Sequence, residues 1–600
     1  MDGGDLKNRA VRIGAGCSVD ITLSLPQMVR QGKLDYMVID FMTEGSVARF
    51  AGERAADPKS GWGTPLAGPE LAMELRQILA DGVKVVTNAG GLNPFVCADA
   101  VRRLADDLGL NPKIAVVDGD DVRERVEGAG LKDMYSGAEL PAALASANAY
   151  LGAKPIAEAL AKGADIVITG RVVDSAMTLG PLLHAFDWSM EDYDRLAGGT
   201  LIGHLLECGA QPTGGIFTDW RDVDWSDSSF PIAECTEDGT AVISKVDGTG
   251  GLVSVGSIAE QILYEIGDPQ RYYMPEVTCD LSQVTLEKIG EDRIRVSGAR
   301  GRAPTKTYKV CAMAQEGWRC AVSGTVSGPD AAEKARRMGE AVLTRCQRLF
   351  ADRNLGDFTD AAVELIGTGD SMGAHAPPIE DPREIVYRIV VDHPTREGAE
   401  LMAKVSGSAM ASMAPGSAGQ LGTVLKPRMR MYSCLLDKTG IPVRVTVEGE
   451  TNDVDVPTSG GFETANVDTL APLPESAEPT NGTVPLVRLA WVRSGDKGDT
   501  SNIGVIARDP RYVPYLKRAL TTEAIAAWYR HVFVGGTGQV ERFELPGLNA
   551  FNFLLHGALD GGVVVSRRFD TMGKGLGQQL IEFPVPVPEA LAAELGPSRR

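Results

Sequence analysis

The sequence is poor in the features that mark several common enzyme and binding classes. Histidine occurs six times in 600 residues, and no H-E-x-x-H pair of the zinc-protease kind is among them. Nine cysteines are scattered without a C-x-x-C pair, which excludes a paired-cysteine zinc site and makes reduced thiols the expectation. There is no obvious serine-hydrolase triad. The P-loop order, glycines followed by Gly-Lys-Ser/Thr, is missing, which disfavours ATP. No apolar run reaches the roughly 18 residues of a membrane helix, and MDGGDLKNRAVRIGAG at the N-terminus carries no long apolar core. A cytoplasmic protein is therefore expected. Positive charge is in deficit too: the formal net charge is -20. That argues against nucleic acid or an anionic membrane as partner, while a local basic site for an anionic metabolite can still exist.

What is present is an ordinary globular balance, 44% hydrophobic and 23% charged, in a chain long enough for two to four domains. The first third alternates strand-like runs with helical segments. Strands are expected at 11–16, 35–41, 83–91, 113–121 and 164–171, with helices at about 69–81, 94–109, 154–163 and 174–186. Asn93 and Pro94 suit the start of the second helix as cap and first residue. This alternation predicts βαβ units and a mainly parallel sheet with flanking helices, spanning 10–273. The middle, 274–450, alternates less regularly: a hairpin-like region at 276–300, strands at 307–314, 383–393 and 442–450, and a long helix at 330–352. It reads as an α+β lobe. Residues 451–484 are rich in Pro, Thr, Gly and acids and read as a linker. The segment 485–588 reads as a small separate α+β domain.

In parallel α/β sheets ligands sit beyond the carboxyl ends of the strands, and the polar-glycine motifs fall there. GAGCSVD (14–20) offers backbone N–H groups around Gly16 for a phosphate or carboxylate, with Asp20 beside them, or is simply a tight turn. Val19 stands where a third small residue would complete a dinucleotide fingerprint, so NAD is disfavoured, and Asp40 alone does not rescue it. Cys17 reads as a packing cysteine. TNAGGLNP (87–94) sets Asn88 and Asn93 around Gly90 and Gly91, as oxyanion donors or as turn and cap residues. DGDD (118–121) supplies acids led by Asp118, for proton transfer or Mg²⁺, or for capping. TGRVVDSA (169–176) is the strongest motif: Arg171 suits a carboxylate or phosphate, and Asp174 suits its partner or a base. His204 and Glu207 share a helix face. Asp370 and His375 lie in a glycine-rich loop. SGDKGDTSN (494–502) brings Asp496 and Lys497, and Arg567, Arg568 and Lys574 follow, for a CoA phosphate or for turns and surface pairs.

GAGCSVD, TNAGGLNP, AYLGA (149–153), GADIVITGRVVDSA (163–176), GHLLECGAQPTGG (203–215), GTGGLVS (248–254) and EQILYEIGDPQRYYMPEV (260–277) resemble the acyclic-terpene-utilisation (AtuA) family over roughly 11–455. SGDKGDTSNIGVIA (494–507) and NFLLHGALDGGVVVSRRFDTMGKGLGQ (552–578) resemble the ferredoxin-fold-like domain fused to, or encoded beside, that family. The resemblance implies catabolism of geraniol- and citronellol-type terpenes through acyl-CoA intermediates. The expectation is a lyase acting on a branched or unsaturated carboxylic acid or acyl-CoA, by hydration/dehydration or by carbon–carbon cleavage. Asp118, Asp174, Asn88 and Arg171 are the expected catalytic residues. Gly16, Asp20, Gly90, Gly91, Asn93, Asp496 and Lys497 are the expected substrate contacts. No resident metal or cofactor is expected, with Mg²⁺ as an option, and a homo-oligomer is expected. A non-catalytic binding or assembly subunit is the alternative.

Overall fold

The apolar runs of the first third become strands that are buried on both faces, as central parallel strands must be. In the computed structural model, which describes residues 10–377, 379–463, 467–475, 478–536 and 538–596, β1 (Val11–Cys17), α1 (Ile21–Gln31), β2 (Tyr36–Asp40), α2 (Glu44–Ala56), α3 (Pro69–Asp81), β3 (Lys84–Thr87), α4 (Pro94–Asp107) and β4 (Ile114–Asp118) open the chain. The single turn α5 (Arg123–Val126), β5 (Ser146–Ala149), α6 (Lys154–Ala161), β6 (Ile166–Thr169), α7 (Ala176–Phe186) and α8 (Tyr193–Leu206) follow. Local chemistry sets several boundaries. Pro69 starts α3 and the left-handed Gly82 ends it. Thr43 caps α2 through its hydroxyl.

The parallel strands run β1-β2-β3-β6-β4. Helices α1, α3 and α4 pack on one face, and α6, α7 and α8 on the other. The chain leaves β3 toward β4 and leaves β6 in the opposite direction, toward β7 (Ile232–Cys235), which pairs with β1. Between β3 and β6 the winding therefore reverses, the position at which doubly wound sheets open a crevice. The sheet also extends past the middle of the chain. β8 (Ala241–Ser244) continues it after β7, and α9 (Val255–Leu263) then packs on the face that α8 occupies. After two short strands, β9 (Tyr272–Tyr273) and β10 (Thr278–Asp280), the hairpin β11 (Thr285–Gly290) and β12 (Arg293–Ser297) forms one edge of the same eleven-stranded sheet.

After β13 (Arg300–Arg302), β14 (Thr307–Ser327) runs much further than the expected 307–314. The expected strand stops short of Gln315-Glu316-Gly317. In the structure these residues form a bulge, with Gly317 at φ +98° and a register shift against the neighbouring strand. The bulge lets one strand serve two cores. Its first half pairs with β5 and faces the first sheet, and its second half joins β15 (Asp360–Ile366) and β16 (Glu384–His393) under α10 (Ala331–Arg353) and α11 (Arg396–Ser412). β17 (Ser417–Asp437) pairs along almost the whole of β14. Then β18 (Arg444–Val447) and β19 (Glu450–Asp453) form the other edge of the first sheet.

Among the described residues from 454 to 481 there is no helix or strand. Leu473 of this segment is buried in the core of the small domain that follows. That domain holds β20 (Gly482–Pro485), β21 (Ala490–Lys497), β22 (Thr500–Ala507), α12 (Val513–Ala519), α13 (Thr522–Trp528), β23 (Gln539–Leu545), β24 (Ala550–His556), α14 (Lys574–Leu580) and β25 (Pro584–Val587). Its main sheet is antiparallel, ordered β21-β22-β24-β23. It docks on the end of α9 through side-chain amides. Asn502 accepts from Glu265 N and donates to Leu263 O, while Asn552 donates to Ile266 O and Gly267 O. A second anchor is Arg319 of β14. It grips Asp392 with two 2.7 Å bonds and donates to the carbonyls of Val565 and Ser566.

Both Arg319 and Asp392 are buried, and Arg428 also donates to Asp392 at 2.8 Å, so removing Arg319 leaves Asp392 one cation and leaves the carbonyls of Val565 and Ser566 without their donor. Arg319→Ala should cost about 1–3 kcal/mol, read as a lower urea midpoint of unfolding. An unchanged midpoint would show that the anchor carries no stability.

Candidate active site

The end of β2 delivers Asp40, and the end of β3 fixes it. Asn88 is buried; its carbonyl accepts from Phe41 N and its amide donates to Asp40 Oδ1, each at 2.7 Å. Met42 N donates to the same oxygen at 3.0 Å. Asp40 Oδ2 has no hydrogen-bond partner among the described residues. Burial first, and neighbouring Asp174 second, push the Asp40 carboxyl up to about 7, against the bonds from Asn88 and Met42 and the charge of Arg171. It can therefore gain and lose a proton near neutral pH.

The end of β6 supplies the cation. Arg171 is 3% exposed and donates to Asp174 Oδ1 at 2.7 Å. Its guanidinium lies 4.2 Å from the centre of the Tyr150 ring. Its backbone N–H donates to Asp120 Oδ2, which also accepts from Asn148. Burial pushes Asp120 up to about 6 against those bonds. Gly170 leaves the room: a Cβ there would sit 2.2 Å from Asp120 Oδ1. Asp174 keeps 25% of its side chain open.

Beneath this group, His204 Nδ1 meets Glu207 Oε1 at 2.9 Å and His204 Nε2 meets Gln261 O at 2.9 Å. Facing a carbonyl, Nε2 carries a proton, so the contact with Glu207 holds one further proton shared by the pair. Burial works against charge on both partners, and the contact with Glu207 outweighs it to raise His204.

The C-terminal domain adds charges of its own to this group. Lys497, at the tip of the β21–β22 hairpin, pairs with Glu265 at 2.9 Å and keeps 41% of its side chain open. Burial opposes its charge, but Glu265, Glu44, Tyr272 and Glu207 hold it protonated. Burial alone would raise Glu265; Lys497 and Lys574 outweigh it and hold that carboxyl at about 2. Lys574 also donates to the Tyr264 hydroxyl. Asp496 is buried with Oδ1 unpartnered among the described residues, and burial, then Glu265 and Glu44, push it up to about 8.

The expected residues thus separate. Asn88, Arg171, Asp174, Asp496 and Lys497 belong to one linked group of polar and charged side chains. Asp118 does not join them: its carboxylate is held by Arg444 of β18 at 2.6 Å, and Asp120, two residues on, is the acid turned to the site. The glycines are packing and turn residues. A Cβ on Gly16 would strike Ser24 Oγ at 2.5 Å, one on Gly90 would strike Thr169 O at 2.4 Å, and Gly91 sits at φ +57°. Asn93 holds the carbonyls of Pro58 and Ser60. Asp20 lies at the start of α1, with Cys17 Sγ at 3.5 Å from its Oδ2. Burial and Asp20 push the Cys17 thiol up to about 12, so it is no thiolate nucleophile. Arg567 pairs with Asp560 and Asp360, Arg568 with two carbonyls, and His375 stacks on Trp528, all in structural roles.

Sequence reasoning missed Asp40, Glu265, Tyr150 and Lys309 as site residues. Asp40 and Lys309 each carried a signal, a charge inside or closing an apolar strand. Among the described residues, no group of three or more His, Cys, Asp or Glu is arranged to hold a metal ion.

The family described as acyclic terpene utilisation family protein AtuA matches residues 11–447, and the AtuA ferredoxin-like domain matches 484–586. No curated protein matches. Two solved structures share short stretches. One is an amidase of the hydantoinase/carbamoylase family from Burkholderia vietnamiensis, at 15% identity and a TM-score of 0.13, over 22% of this chain and 31% of that one. The other is the regulatory subunit of aspartate kinase from Thermus thermophilus, at 8% identity and a TM-score of 0.10, over 41% of this chain and 87% of that one.

The pH dependence of stability reports on Asp40. Its carboxyl is raised in the fold, so its contribution is largest below its ordinary value near 3.8 and is lost as pH rises to about 7. Asp40→Asn should lose less stability than the wild type across that window in urea titrations. Parallel profiles would show that Asp40 titrates normally.

Proposed function

The chain belongs to the acyclic terpene utilisation AtuA family, with the family's ferredoxin-like domain at its C-terminus, and we propose that it is a catabolic lyase that adds water to, or removes it from, a branched or unsaturated carboxylic acid or its CoA thioester. The observation that carries this reading is the carboxyl of Asp40. It is held by Asn88, sits beside Asp174 and Arg171, and is poised near neutrality where the winding of the sheet reverses.

Hydration of a double bond conjugated to a carbonyl needs a base for water, an acid for the adjacent carbon, and donors for the enolate oxygen. Asp40 serves as the group that gives and takes the proton. Asp174 pairs with Arg171 at 2.7 Å and so holds that cation beside Asp40. Arg171 is fixed on three sides, by Tyr150, Asp174 and the bond from its backbone to Asp120. It steadies negative charge developing on the substrate oxygen without having to move. The family's role in acyclic terpene utilisation fits a branched, unsaturated substrate.

The test is to incubate the full-length protein with a panel of unsaturated and 3-hydroxy branched acids and acyl-CoAs and to follow product masses. Gain or loss of one water is expected. Asp40→Asn should lower kcat about 100-fold or more with little change in KM, as loss of a proton-transfer group does. Two shorter products would replace hydration with carbon–carbon cleavage. A fully active Asp40→Asn would remove Asp40 from the chemistry.

A further inference from the structure

We propose that Lys309 and Lys497 form a subsite for one free carboxylate of the substrate, apart from the Asp40–Asp174 pair. This rests on the reading that the group around Asp40 binds substrate, and it narrows the substrate to an acid that keeps an ionised carboxylate while it reacts elsewhere.

Lys309 is an anomaly of its strand. It shares a face of β14 with Cys311 and Met313, which are fully buried against Met42, Phe50 and Leu92. Among the described residues its ammonium makes no hydrogen bond and no ion pair. It lies instead between two aromatic rings, 5.6 Å from the centre of Tyr135 and 5.4 Å from that of Tyr150. Ring faces attract a cation weakly and leave its three N–H donors free for an anion. Tyr150 carries Arg171 as well as Lys309 against its ring, so the lysine stands one aromatic ring away from the proposed chemistry.

The C-terminal hairpin completes the subsite. Tyr135 packs against Gly498, the residue after Lys497; a Cβ on that glycine would lie 3.9 Å from the ring. Lys497 is within electrostatic reach of Lys309, and Glu44 is near both. The loop that carries Tyr135 is tied down, because Asp133 accepts from Ser136 and from Ser433 N.

Charge decides between anions. Lys309, Lys497 and Lys574 face Glu265 and Glu44, and Asp496 beside them is pushed up to about 8 and stays protonated, which leaves one positive charge at the subsite. One carboxylate neutralises that excess. A phosphate, at close to two negative charges, would leave a surplus beside Glu44 and Glu265.

The experiment is calorimetric titration of the full-length protein with isovalerate, its neutral isostere isovaleramide, and inorganic phosphate. Wild type should bind isovalerate about ten-fold tighter than isovaleramide, and more tightly than phosphate. Lys309→Met should abolish the preference for the acid, while Lys309→Arg and Asp40→Asn keep it. Equal affinity for acid and amide, no binding of the acid, tighter binding of phosphate, or a Lys309→Met protein that still prefers the acid would each overturn the subsite. Because binding is read without turnover, the two readings fail separately. An active Asp40→Asn sinks the proton-transfer role and leaves the subsite intact.

Discussion

A guanidinium buried at the end of a parallel strand has to be matched by its neighbours, and the surroundings of Arg171 are organised by that demand, with Nε left without a hydrogen bond among the described residues. Tyr150 supplies a ring face, Asp174 a carboxylate, and Asp120 a bond to the backbone N–H that sets where the side chain begins. Each comes from a different part of the chain: β5 and the loop after β4 bring Tyr150 and Asp120, and the turn into α7 brings Asp174. Asn148 holds Asp120 in turn, and β5 itself is held by pairing with β14. The second sheet is thus a support for the first sheet's site as well as a separate layer.

The acids around this cation divide by environment. Asp174 is paired and partly open, Asp40 is buried beside it with one oxygen unbonded, and Asp120 is occupied by two donors. Burial, with the carboxylate of Asp174 beside it, raises the proton affinity of Asp40. The lysines come from β14, which pairs with β5, and from the C-terminal domain. Docking of Asn502 and Asn552 onto the turn after α9 brings the Lys497 hairpin to the site. The family's small domain therefore has a place in the site, since Glu265, the partner of Lys497, lies in that same turn.

Much of this was legible in the chain. The alternation of strands with helices from β1 to α7, except for α1, α2, α5 and β5, the bounds of α3, the long helix α10 and the pairing of Arg171 with Asp174 follow from periodicity, caps and spacing; the strand order does not. The continuation of β14 through Gln315-Glu316-Gly317 was not legible, because a bulge and a turn use the same residues. Nor was the attachment of 285–297 and 444–453 to the edges of the first sheet, since strand pairing over such distances leaves no local trace. Asp118 looked like the acid of DGDD because it closes the strand. Its register opposite Arg444 turns it into a sheet-edge ion pair.

What the sequence by itself determined is therefore local: which runs alternate, where helices begin and end, and that strand ends carry Asn88, Arg171 and Asp174. These depend on contacts within a few residues. Only the tertiary structure decided which ionisable groups come together and what their burial does to them. Asp40 becomes a titrating acid, Asp118 a spent one and Lys309 a free cation by virtue of neighbours more than a hundred residues away, because desolvation and Coulomb interaction act through space and not along the chain.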